Sequence, residues 1–366
     1  MKILDKTDVH DMLYGCTIMG CGGGGPLERG LRLADKALLA GKTFKLADYD
    51  DIPDEDYLAT PYYCGSISPE TEDERKKYER LAVKHEEPTV EATRRLERFL
   101  GVGIKGFVST ELGGGNTAIP LYLAAISDRY VIDGDAAGRA VPDLQMSLYF
   151  VNGLPITPMS LVNAFGDAAV LTEVVDDFRA EALARALAVA SKNTIAIVDH
   201  PAKASEIKKT IIRGALSHAM RVGRAWREAL DAGKSAAESV AVVGGGRTMF
   251  KGELKSFEWN TVDGFTVGEM KIVNSAGDEL KIWFKNEHIV SWLNGAQYVC
   301  APDLICLLEA GTGKPLTNPN YEKGMKIDAV ALPAPEGWTT KRGLEVLSPV
   351  SFGFDFEWRS FRKLKL

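Results

Sequence analysis

The spacing of apolar positions changes several times along the chain, and each change predicts a different element. Val9, Met12, Leu13 and Cys16 recur at helical intervals, with Thr7 or Asp8 available as a cap. After a run of glycines, "LERGLRLADKALLAG" keeps that interval and stops at Gly41. Pro26 stands where a first helical residue would, so a helix is expected there. "TFKLADY" and "YLATPYYCG" read as strands. Residues 68–90 are densely charged and predict a solvated helix or loop. "VEATRRLERFLG" is an amphipathic helix ending at Gly101. "IKGFVSTELGGGNTAIPLYLAAISDRYVIDGD" then gives strand, glycine turn, helix and strand, a βαβ unit. "LQMSLYFV" reads as one more strand.

From about residue 170 the pattern restarts. "DFRAEALARALAVASKN" predicts a helix and "TIAIVDH" a strand. "SEIKKTIIRGALSHAMRVGRAWREALDAGK" predicts a single long helix with a basic, solvated stripe. Between about 236 and 348, short strands alternate with Gly, Asn and Pro turns, and "NSAGDE" looks like a hairpin turn. The expected fold class is α/β plus β-rich. An N-terminal α/β domain with a mostly parallel sheet spans 1–169; a C-terminal domain of helices followed by an antiparallel β region spans 170–366. A chain of 366 residues is long for a single core and suits two.

Charge narrows the partners. There are 44 basic and 50 acidic residues, a net charge of -6, which disfavours a nucleic-acid or anionic membrane surface. The opening "MKILDKTDVHD" has no apolar signal segment, and no apolar run reaches the ~18 residues of a membrane span. The five cysteines show no C-x-x-C spacing, so reduced thiols and a cytoplasmic location are expected.

Four stretches combine glycine or a turn with chemistry-bearing groups. In "GCGGGGP", the backbone N–H groups of Gly22, Gly23, Gly24 and Gly25 can converge on an anion beside a helix start. A thiol there would ionise more easily, making Cys21 a candidate nucleophile; it is equally a small residue that fits a tight turn. The loop also matches the dinucleotide fingerprint by letter, but no clear apolar strand precedes it. In "STELGGGN", Glu111 ends a buried strand, where α/β sheets bind ligands, and Asn116 can cap a helix or donate to a ligand. In "VIDGDAAGRAVPDLQ", Asp133 and Asp135 alternate across an extended segment and Arg139 follows. In "WFKNEHIV", Asn286, Glu287 and His288 end a strand, and Asp303 lies in the turn of "APDLICLL". His200 reads as structural, and Cys300 and Cys306 as core. Histidine spacing offers no local zinc motif; a divalent metal such as zinc would need Asp133, Asp135, Glu111 or His288 brought together by the fold.

"MGCGGGGP", "STELGGGN", "VIDGDAAGRAVPDLQ", "WFKNEHIV", "APDLICLL" and "SPVSFGFDFEW", in that order from about residue 8 to 357, together resemble the S-methyl thiohydantoin desulfurase family. That family was long grouped as a domain found near hydantoinases and oxoprolinases. The resemblance implies a two-domain fold. It also implies hydrolysis of an S-methylated thiohydantoin to a hydantoin and methanethiol, within breakdown of ergothioneine-type compounds. The chain departs from the family in carrying Cys21 where many members carry Thr. Mapped onto these motifs, Cys21 is the expected nucleophile, and Glu111 or Asp133 the acid. Gly22 to Gly25, Asn116, Asp135 and Arg139 are expected to contact substrate. No cofactor is expected, and the partners expected are a small-molecule substrate and copies of the same chain. Two other readings stand beside this one: a metal-dependent hydrolase of a hydantoin-like cyclic amide, and a non-catalytic accessory subunit of a hydantoinase. The first reading requires the glycine loop and the bends near 111 and 133 to meet at one cleft.

Overall fold

Two sheets organise the chain, and the turns at their ends carry most of the motifs above. The computed structural model describes residues 1–65 and 72–364; residues 68–71, the start of the charged stretch, lie outside the described residues, and a short helix, Glu72–Tyr78, follows them. The first sheet holds β1 (Lys2–Leu4), β2 (Phe44–Ala47), β3 (Tyr57–Gly65), β4 (Gly106–Ser109), β5 (Tyr130–Asp135), β6 (Met159–Val162), β7 (Ala168–Leu171), β8 (Thr194–Lys203) and β9 (Ile212–Arg213). Its order is β1-β2-β5-β4-β3-β8-β6-β7, with β9 beside β5. The central neighbours β2, β5, β4 and β3 run parallel, and antiparallel strands extend them on both sides. Residues 194–213 therefore complete the first sheet.

The second sheet is antiparallel throughout. It contains β10 (Arg247–Val262), β11 (Phe265–Val273), β12 (Glu279–Lys285), β13 (Glu287–Leu293), β14 (Ala296–Cys300), β15 (Leu304–Glu309) and β16 (Lys326–Leu332). Its order is β14-β13-β12-β11-β10-β16-β15. The hairpin expected at "NSAGDE" joins β11 to β12. The fold class is α/β followed by a β-rich part.

The longer helices are α1 (Lys6–Met19), α2 (Leu27–Leu39), α3 (Pro88–Leu100), α4 (Ala118–Ile126), α5 (Asp177–Val189), α6 (Ala215–Asp231) and α7 (Ala236–Val243). β4, α4 and β5 form the expected βαβ unit, and Gly101 ends α3 in a left-handed conformation at φ 69°. α1 buries Val9, Met12, Leu13 and Cys16 completely, as its spacing predicts. It crosses α6 at glycine, where Gly15 faces the Ala219 carbonyl and Gly223 the Asp11 carbonyl too closely for any Cβ. Arg227 holds Asp11 through Nε and Nη2 at 2.7 and 2.9 Å across the same crossing. Among the described residues no helix is long and apolar enough to cross a membrane.

Several local expectations are corrected. Asp5, not Thr7 or Asp8, caps α1 by accepting from the Asp8 N–H. "LQMSLYFV" is not a strand: the Ser147 hydroxyl accepts from the Phe150 N–H and starts a helical turn, Leu148–Val151. The single long helix expected from residue 205 breaks into a turn at Ala204–Ile207, strand β9 and α6. Gly214, at φ 74°, makes the bend that a helix cannot. Glu287 and His288 open β13 instead of ending β12, because Asn286 at φ 56° turns the chain between them.

Candidate functional site

The four glycines of the opening loop are explained by what they touch. The loop leaves α1 and lies against the turn "LGGGN", so that two glycine-rich backbones meet. Gly24 O accepts from Gly115 N at 3.1 Å and from Asn116 N at 2.9 Å. A Cβ on Gly24 would overlap Gly113, and one on Gly113 would overlap Gly24. Gly22 presses on the His288 ring and Gly23 on the Glu287 carboxyl. Gly22, Gly24 and Gly25 also have φ of 92°, 78° and 79°, which side chains rarely adopt. The freedom of this loop is thus spent on close approach.

Beside the two turns lies a cavity of about 180 Å³. Gly24, Gly25, Glu111, Asn116, Tyr62 and Glu287 are among its lining residues, so both sheets contribute to it. Glu111 is fixed at both oxygens: Oε1 accepts from Asn116 Nδ2 at 2.7 Å and Oε2 from the Val141 N–H at 2.9 Å. Burial outweighs those bonds and raises its pKa to about 7. Asn116 also pins β3 by pairing with the Tyr63 backbone, at 3.2 Å from N and 3.3 Å to O. Glu287 is 3% exposed, and no hydrogen bond reaches its Oε2. Burial, with the charge of Glu111 added, holds its carboxyl well above the usual range.

Behind the glycine loop is a second, enclosed group. Cys21 is completely buried at φ 51°, and its carbonyl accepts from the His288 N–H at 2.8 Å. Burial pushes the Cys21 thiol up. The hydrogen bond from Cys306, the charge of Arg139 and a backbone bond from Ile305 together reverse this and lower it to about 7. The other thiols go the opposite way: burial raises Cys64 to about 12, Cys300 to about 11, and Cys16 and Cys306 higher still. His288 is neutral, since burial lowers it to about 4. Its Nδ1 lies 2.9 Å from the Ile305 carbonyl and must donate, so Nε2 accepts from the Tyr321 hydroxyl at 3.0 Å.

The fold divides the residues singled out in the sequence. Glu111, Asn116, Gly24 and Gly25 line the cavity, while Gly22, Gly23 and Cys21 lie behind it. Asp133 does not line it, so the expected meeting of the glycine loop with both acidic bends holds for 111 and fails for 133. Its two oxygens accept from the Ser217 N–H at 2.9 Å and the Ser217 hydroxyl at 2.5 Å, anchoring the first turn of α6. Asp135 accepts from the N–H groups of Ala137 (2.8 Å) and Gly138, and burial raises it to about 7. Arg139 is fully buried on backbone carbonyls and does not line the cavity. Glu111, Asp133, Asp135 and His288 do not assemble as ligands. Among the described residues no group of three or more His, Cys, Asp or Glu side chains is arranged to hold a metal ion. Glu287, named from the sequence only as part of a strand end and given no site role there, lines the cavity as a second buried carboxyl. Its signal was a carboxylate flanked by Asn286 and His288 between two apolar strands, where a bare charge has no solvent-facing reason to sit.

Comparison with known proteins covers the whole fold. Residues 7–173 match the family model described as S-Me-THD-like, N-terminal domain, and residues 175–361 the one described as S-Me-THD-like, C-terminal domain. A crystal structure of a protein from Chromobacterium violaceum is similar at 22% identity and a TM-score of 0.76, over 99% of this chain and 100% of that one, and supports the fold alone. No match is found among curated proteins.

Proposed function

The chain belongs to the S-Me-THD-like family, and we propose that it hydrolyses the C–S bond of an S-methylated thiohydantoin, giving a hydantoin and methanethiol. The observation that carries this reading is the pair of buried carboxyls at one cavity, with Glu111 near 7 and Glu287 well above. Environments that push two acids apart assign one as base and the other as acid. Burial and the neighbouring charge favour the protonated form of Glu287, while Glu111, near 7, can take up or give a proton at neutral pH.

The reaction balances on these two groups. The ring carbon bearing the S-methyl group is amidine-like and takes up water. Glu111 accepts a proton from the attacking water while Glu287 protonates the ring nitrogen. As the tetrahedral carbon collapses, Glu287 recovers the hydroxyl proton and Glu111 gives its own to the departing sulfur. The two protons of water end on nitrogen and sulfur, and both carboxyls return to their starting states. Such acid–base assistance is worth ~10²- to 10⁴-fold in rate. The cavity, about 180 Å³, suits a small ring and not a polymer. A substrate of this kind would arise in breakdown of ergothioneine-type thioimidazoles.

A second route is favoured by one observation, the lowered pKa of Cys21. Its thiolate would attack the same carbon, expel methanethiol and form a thioimidate that water then clears. The sulfur is completely buried, so this route requires the glycine loop to part. The test of the function is methanethiol release by the purified chain with no partner added. Release with one ¹⁸O from labelled water in the hydantoin is the expected result; no release would leave the accessory-subunit reading.

A further inference from the structure

Glu181 and Arg185 stand one turn apart on α5, and their side chains are only 10% and 12% exposed. Arg185 Nε at 2.8 Å and Nη2 at 2.6 Å both reach Glu181 Oε1. That leaves Glu181 Oε2 to accept from the Leu144 N–H at 3.1 Å. Arg185 also donates to backbone: Nη1 to Gly65 O at 2.9 Å, at the end of β3, and Nη2 to Pro142 O at 3.4 Å. Its guanidinium carbon lies 4.2 Å from the centre of the Phe265 ring at the start of β11, so one side chain touches both sheets.

Pro142 and Leu144 belong to the segment that begins at Val141, and the Val141 N–H holds Glu111 Oε2 at 2.9 Å. Gly65, Val141, Pro142, Leu144 and Arg185 line the same cavity as Glu111. Pro142 has no N–H, so its carbonyl is its single backbone hydrogen-bonding group, and Arg185 takes it. A proline also confines the residue before it, so Val141 cannot turn its peptide independently of Pro142. The second sheet fastens the same segment: Lys285 Nζ reaches Asp143 Oδ2 at 2.7 Å and lies 3.8 Å from the centre of the Phe265 ring. The charged or titratable groups facing Glu111 are Arg139, Glu287, Asp135 and Cys64. Among the described residues none of these is a hydrogen-bond partner of Arg185. Cys64 faces Arg185 as well, but burial holds its thiol near 12, so it stays uncharged at neutral pH. A lysine in place of Arg185 would keep the charge, yet one ammonium cannot serve Glu181, Gly65 and Pro142 in the fixed directions of a planar fork.

We propose that Arg185, braced by Glu181, is a positioning residue that keeps the Val141 N–H aimed at the Glu111 carboxyl where the two sheets meet. Its effect on turnover rests on the desulfurase reading; the tether itself is a property of the free chain. Losing the Val141 bond removes a group that stabilises the Glu111 carboxylate, so Glu111 must then ionise at higher pH. The test compares the wild type, Arg185→Lys and Glu181→Gln in two measurements. One is the pH profile of kcat/KM for methanethiol release. The other, without substrate, is the denaturant stability of each chain against the same chain carrying Glu111→Gln. The pH at which that stability difference levels off marks ionisation of Glu111 in the folded chain, near 7 in the wild type. In Arg185→Lys the catalytic limb and the levelling point should both move up by at least about half a pH unit, a roughly threefold weaker ionisation. Glu181→Gln, which cannot offer oxygens to both Arg185 and the Leu144 N–H, should move them the same way. Reduced kcat or stability in Arg185→Lys with both markers unmoved, or moved down, would make the pair merely structural and overturn the proposal. If Arg185→Lys does not fold, Glu181→Gln decides by the same criterion. A wild type that releases no methanethiol, while the levelling point still moves in Arg185→Lys, would count against the reaction and not against the tether.

Discussion

The Glu287 carboxyl occupies the space that a Cβ on Gly23 would need. The backbone of Gly23 is not left-handed, so what alanine meets there is the Glu287 side chain, not backbone strain. Gly23→Ala should displace Glu287, cost about 1–3 kcal/mol in chemical denaturation from overpacking, and lower thiol release at least ~10-fold. Gly41, with open space around it at φ 69°, is the control: Gly41→Ala should cost about 1 kcal/mol of backbone strain and leave turnover unchanged.

The carboxyl pair makes a second prediction. Glu111→Gln and Glu287→Gln should each lower kcat by ~10²- to 10⁴-fold, the range of acid–base assistance, with the far-ultraviolet spectrum unchanged. A loss confined to KM would place these groups in binding instead.

Glu111 also links stability to pH. Its carboxyl ionises near 7 in the folded chain against an ordinary 4.5. The native state therefore holds a proton that the unfolded chain has lost between those values. Stability must fall as pH rises through that window and level off above it. Glu111→Gln cannot ionise, so its unfolding free energy relative to the wild type should rise between pH 5 and 8, by about 3 kcal/mol at most. Denaturant midpoints at the two pH values measure it.

Much of this was legible in the sequence because periodicity reports burial directly. The βαβ unit of β4, α4 and β5, the helix ending at Gly101 and the α1 core stripe all follow from it. Glu111 at the end of a buried strand was legible for the same reason. Direction was less so: Asp133 and Asp135 both lie in the last residues of β5, yet Ser217 on a distant helix claims one of them. The break at Gly214 and the turn at Leu148–Val151 depended on one residue's φ and one hydroxyl, and both lie inside runs that look continuous. Glu287 was ambiguous because its role comes from the first sheet's glycine loop, some 260 residues away in sequence.

For Asp133 the expectation is now structural. Asp133→Asn or Ser217→Ala should cost about 1–2 kcal/mol by loosening the start of α6, with kcat within a factor of about two of the wild type. A large loss of kcat at unchanged stability would return Asp133 to the chemistry.

Cys21→Ser separates the two routes. If Cys21 is the nucleophile, turnover should fall by ~10²-fold or more, while Cys306→Ser keeps most of it; near-normal turnover in Cys21→Ser would remove Cys21 from the mechanism.

The most direct test of the acid–base cleft is the pH dependence of methanethiol release, measured as kcat/KM on an S-methylated thiohydantoin in the wild type and Glu111→Gln. The account predicts a wild-type rate that climbs through about pH 7 as Glu111 ionises, and a Glu111→Gln rate that is low and has lost that limb. A limb that survives unchanged in Glu111→Gln, at near wild-type rate, would contradict it.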